Sequence, residues 1–78
     1  MILEFYEKNN VNCKKVEKVL SKFPNIPVFK IDIRDEKSLP LIDLHSICMV
    51  PTLVFLPSLY TLYGDISQKD ILKAINRN

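Results

Sequence analysis

Ile2-Leu3-Glu4-Phe5-Tyr6 runs, after a short gap, into Asn10-Val11-Asn12-Cys13-Lys14. The first segment is apolar, aromatic and too short for a helix, so it reads as a strand. From Val11 to Phe23 the pattern changes. Val16, Val19, Leu20 and Phe23 recur at spacings of three and four, as on one face of a helix. Cys13, three before Val16 and seven before Leu20, shares that stripe. Asn10 stands where a helix N-cap belongs, within reach of the amide of Asn12 or Cys13. The stretch is therefore a strand, a turn, and a helix with a thiol in its first turn.

Working outward, Pro24 and Pro27 end this helix and frame a linker. Val28 to Ile33 reads as a second strand. Start signals at Asp35 to Ser38 precede a second helix through Leu39, Leu41, Ile42, Leu44 and Ile47. Pro40 fits only in its first turn, which puts the N-cap near Ser38. Thr52 to Leu56 is a third, buried strand. Pro57-Ser58 forms a tight turn into a fourth strand, Leu59 to Tyr63, which Gly64 breaks. Ser67 caps a last helix with Asp70 as its capping-box partner, and Ile71, Leu72 and Ile75 form the apolar face.

The order βαβαββα makes one α/β domain over residues 1–78, a four-stranded mixed sheet with helices on both faces. Strand–helix alternation predicts parallel pairing of the first three strands. The short Pro57-Ser58 link predicts an antiparallel fourth.

Composition narrows the function classes. The chain has 78 residues, 47 % hydrophobic and 26 % charged, which is ordinary globular make-up. A net charge of +2 does not point to nucleic acid. Lys14, Lys15, Lys18 and Lys22 cluster, but Glu17 interrupts them, and a solvated helix face explains them better than phosphate binding. Two Cys are not a secreted disulfide framework. No apolar run reaches the roughly 18 residues of a membrane span. The expectation is a cytoplasmic monomer without nucleic-acid or membrane partners. His45, at the end of the second helix, has no Cys or Asp at ligand spacing, so a surface role is expected and no metal site.

The element order, Glu4, the Phe5-Tyr6 pair, Asn10 to Lys14, Lys30, Val50-Pro51-Thr52 and Gly64 together resemble the thioredoxin/glutaredoxin superfamily in minimal form, over nearly the whole chain. The family carries Cys-x-x-Cys-Lys where this chain has Asn10-Val11-Asn12-Cys13-Lys14. The motif is degenerate: Asn10 occupies the position of the attacking Cys and Cys13 that of the resolving Cys. The resemblance implies a cis bond before Pro51 and a Val50 backbone that pairs with an extended substrate. It implies that Glu4 is a buried proton acceptor beside Cys13 and Lys30. It places Asn10, Val11, Asn12, Val50, Pro51 and Gly64 on the substrate or partner face.

An Asn cannot attack a disulfide, and dithiol exchange needs a first thiolate. Two functions therefore stand side by side. One is atypical or residual thiol-disulfide redox chemistry at Cys13. The other is a non-catalytic module binding an extended protein or peptide segment at Val50-Pro51. For the Cys13 thiol, the helix N-terminus and Lys14 favour the thiolate and burial opposes it. Cys48, three before Pro51, is a candidate second thiol, though a small inert hydrophobe explains it better. No cofactor is required. Glutathione binding without turnover is a third candidate, with Lys8 and the Val50 backbone holding the tripeptide.

Overall fold

The computed structural model describes residues 1–77. Strand β1 (Ile2–Tyr6) leads to helix α1 (Val11–Leu20), strand β2 (Val28–Asp32), a 3₁₀ turn (Glu36–Ser38) and helix α2 (Leu39–Leu44). Strands β3 (Thr52–Phe55) and β4 (Tyr60–Tyr63) and helix α3 (Gln68–Arg77) follow. The sheet order is β2-β1-β3-β4.

Alternation along the strands divides the core in two. Ile2, Leu53 and Phe55 face Val16 and Leu20 of α1 and Ile71 and Ala74 of α3. Leu3, Phe5, Ile31 and Val54 face the other way, toward the partly buried Leu41, Ile42 and Ile47. Helices thus cover both faces, with α1 and α3 opposite α2.

The pairing corrects one expectation. β1 pairs with β2 in parallel, Ile2 opposite Val28 and Tyr6 opposite Asp32. β3 pairs with β1 antiparallel, Phe5 opposite Thr52. The connection from β2 to β3 begins and ends at the same end of the sheet. The six residues of α2 span only about 9 Å. That is less than the roughly 16 Å of a five-residue strand, and the chain re-enters the sheet at the end where it left it, so β3 runs antiparallel to β1. β4 is antiparallel to β3.

Smaller corrections follow from local chemistry. α1 ends at Leu20 rather than Phe23, where two turns lead into Pro24. Ile47 lies beyond α2, after Ser46 at φ 52°. The β3–β4 connection spans residues 56–59 rather than two residues, and Leu59 closes it at φ 68°. Ser67 and Asp70 form a reciprocal capping box: Asp70 N–H donates to Ser67 Oγ at 3.2 Å, and Ser67 N–H to Asp70 Oδ2 at 2.9 Å.

Candidate functional site

The Glu7–Asn10 turn joins the end of β1 to α1 and carries Asn9 at φ 65°. Asn tolerates the left-handed region better than most residues. Asn10 then caps α1: its Oδ1 accepts the Cys13 N–H at 3.0 Å. The Asn10 side chain is thus engaged with the helix backbone. Val11 and Asn12 are exposed beside it.

Cys13 is buried at 4 % exposure, and it is not disulfide-bonded. Burial pushes its thiol above the ordinary value, which settles the balance left open by the sequence. A backbone hydrogen bond at Glu7 pulls the other way, but the carboxylates of Glu4, Glu7 and Glu17 add to the rise.

Glu4 lies on the α1 face of β1, between Lys30 of β2 and Leu53 of β3 in the registers of the two ladders. It is 2 % exposed, and its Oε2 has no hydrogen-bond partner among the described residues. Desolvation, with Glu17 beside it, raises its pKa from 4.5 to about 7, against the opposing pull of Lys30. Lys30 forms an ion pair with Glu17 and stands 4.5 Å over the Tyr6 ring. Its own pKa is raised, chiefly by the hydrogen bond to Glu17.

Glu17 is the residue that sequence reasoning missed. In the sequence it interrupts a lysine run on the polar face. It follows Cys13 by four residues, so the two share a helix face. That spacing was the available signal. A cleft of about 320 Å³ brings Tyr6, Lys8, Asn9, Cys13, Glu17 and Lys30 together.

Pro51 is fully buried, and the bonds before Pro51 and Pro57 are both cis. The Thr52 hydroxyl donates to the Met49 carbonyl at 2.6 Å, and Gly64 N–H donates to the Pro51 carbonyl at 3.0 Å. Gly64 has φ 82°, and a Cβ there would meet Met49 Cε at 3.8 Å. The glycine therefore sits directly against the Pro51 loop, and its backbone conformation explains the residue type. The Val50 backbone has no backbone hydrogen-bond partner among the described residues.

Cys48 stands apart. It is exposed, its thiol donates to the Ser46 carbonyl at 3.4 Å, and it is free. It lines clefts on the α2 side with Ile47 and Met49, whereas Cys13 lines the cleft under α1. The His45 ring packs edge-on to Phe5 with centroids 5.9 Å apart. Among the described residues no three His, Cys, Asp or Glu side chains gather as a metal site, and no helix is long and apolar enough to cross a membrane.

Neither the protein-family models nor the curated proteins yield a match to this sequence. Solved structures do match its shape. A thioredoxin-like protein of Clostridium perfringens superposes with a TM-score of 0.83 at 22 % identity, covering 97 % of this chain and 68 % of that one. Thioredoxin of Malassezia sympodialis (Mala s 13) gives 0.75 at 21 % identity, with 97 % and 71 % covered. Thioredoxin 1 of Thermosipho africanus gives 0.68 at 23 % identity, with 97 % and 90 % covered. At these identities the likeness is one of architecture, and by architecture the chain is a thioredoxin-fold protein.

Proposed function

We propose that this chain is a thioredoxin-fold recognition module of thiol-disulfide redox lineage that has lost dithiol turnover. It holds an extended segment of a protein or peptide partner along the half-buried Val50 backbone, which the buried Pro51 beneath it positions. The observation that carries this reading is Asn10. It occupies the attacking position as a helix cap, its Oδ1 bonded to the Cys13 amide. Disulfide exchange requires a thiolate to attack, and the one thiol at the start of α1, Cys13, is buried with its pKa raised. The Val50 backbone offers a donor and an acceptor to an added strand. Gly64 and the exposed Met49 flank it on one side. A cytoplasmic setting goes with this reading.

One observation favours a second reading, single-thiol chemistry at Cys13. Glu4 sits in the electrostatic field of Cys13, and its pKa of about 7 suits a proton acceptor at neutral pH. Burial of both groups weighs against it.

The test is peptide selection followed by amide mapping. Displayed random peptides are selected on the protein, and the best binder is titrated into isotope-labelled protein. The amides of Val50, Gly64 and Asn10 to Asn12 are expected to move together. Selected binders that leave the Val50 amide unmoved contradict the reading.

A further inference from the structure

β2 stands at the edge of the sheet, and among the described residues its only strand partner is β1. In a parallel ladder alternate residues of a strand bond to one neighbour. Ile2 N–H donates to the Pro27 carbonyl at 2.9 Å, and Ile33 N–H to the Tyr6 carbonyl at 3.0 Å. These two bonds fix the alternation. Residues 27, 29, 31 and 33 turn their backbone groups toward β1, while Val28, Lys30 and Asp32 turn theirs outward. Pro27 therefore gives up an amide on the β1 side and leaves the outer edge intact.

Side chains alternate on the same strand. Lys30 and Asp32 share the α1 face. Phe29, Ile31 and Ile33 share the α2 face, and Phe29 is left 53 % exposed. An open edge bearing an exposed aromatic is a template for another strand.

We propose that a second copy of this chain pairs antiparallel with β2 about a two-fold axis at Ile31, joining the two sheets into one of eight strands. In this register Lys30 lies across from Asp32 of the second copy, and Asp32 across from its Lys30. Both crossings bring opposite charges together, which stabilises cross-strand pairs. Ile31 meets its own copy, and Phe29 lies across from Ile33, so the exposed ring gains an apolar partner. The outward backbone groups of Lys30 and Asp32 are those that a ladder in this register pairs. The Asp32 carbonyl already accepts the Asp35 N–H at 3.1 Å and offers its second lone pair to the new strand.

The charges also choose the register. An axis moved to residue 30 sets Lys30 against Lys30, a like-charge pair that disfavours association. The contact is isologous and closes on itself. It departs from the monomer expected from the sequence. It leaves Pro51 free, because that residue leads into β3, which β1 separates from the edge.

The test is light scattering coupled to size exclusion over a concentration series, with amide exchange on the same samples. The mass is expected to double from 9.1 kDa as concentration rises, and the amides of Lys30 and Asp32 to gain protection with it. D32K is expected to weaken association about tenfold, and mixing D32K with K30D to restore it, since the mixture has opposite charges at both crossings. Lys30 also pairs with Glu17, so K30D is open to a folding defect. F29S, at an exposed site, independently predicts weakened association. A wild type that stays at 9.1 kDa throughout overturns the proposal. So do D32K and F29S proteins that associate as tightly as wild type, or protection that grows on other amides instead.

Discussion

Cys13 and Glu4 carry most of the local chemistry, and each is tuned by what surrounds it. Cys13 is 4 % exposed with its thiol pKa raised, while Cys48 is exposed. Iodoacetamide at neutral pH should therefore label Cys48 and spare Cys13 in the folded protein, as read by peptide mass. Equal labelling of both would contradict the burial argument. Glu4 gives a prediction with a definite sign. Its carboxyl binds a proton more tightly folded than unfolded, with a pKa of about 7 against 4.5. Stability from this group is complete below about 4.5 and is lost as pH rises through about 7. The gap, at about 1.4 kcal/mol per pH unit, is worth about 3 kcal/mol. Urea midpoints should fall across this window in wild type. Glu4→Gln should flatten the dependence and be the more stable protein above pH 7. A Glu4→Gln profile parallel to wild type would assign the pH dependence elsewhere. Glu4 could be picked out from the sequence because a carboxylate inside an apolar strand is conspicuous. Glu17 offers only its four-residue spacing from Cys13, a weaker signal, because a Glu among lysines on a helix looks like solvated surface until the face beneath it is known.

Elements were easier to read than their pairing. The period of three and four through Val16 and Leu20, and the Asn10 and Ser67 caps, are local signals, and both caps are present. The direction of β3 is not local. It depends on which end of the sheet the chain has reached after the connection from β2, and alternation of strands and helices does not encode that. The same limit applies to the Pro57-Ser58 turn, where Leu59 takes a left-handed conformation that its residue type does not advertise. The cap at Asn10 carries a direct test. Asn10→Ala leaves the Cys13 amide without its acceptor and should cost about 1 kcal/mol in urea unfolding, with α1 the element whose amides lose protection. No change in stability would show that the cap contributes little. Asn10→Ser should recover most of the loss.

Over the whole molecule, two small cores hold a sheet between α1 and α3 on one face and α2 on the other. Leu53 is fully buried in the first, so Leu53→Ala should cost about 2–5 kcal/mol. That is a large share of the stability of a domain this size, and a thermal melt should show it plainly. A shift within error would mean that the α1–α3 side is loosely packed. The fold was legible because strand, capped helix and Val50-Pro51-Thr52 fall in register along one chain. The function is less so, because a helix cap such as Asn10, bonded to the Cys13 amide, looks the same whether or not the site around it does chemistry. The decisive measurement is insulin-disulfide reduction with a thiol reductant, comparing wild type, Asn10→Cys and Cys13→Ser. Wild type is predicted to show no turnover above the reductant alone, and Asn10→Cys to gain it. Clear wild-type turnover that disappears in Cys13→Ser would contradict a recognition role and return the site to catalysis.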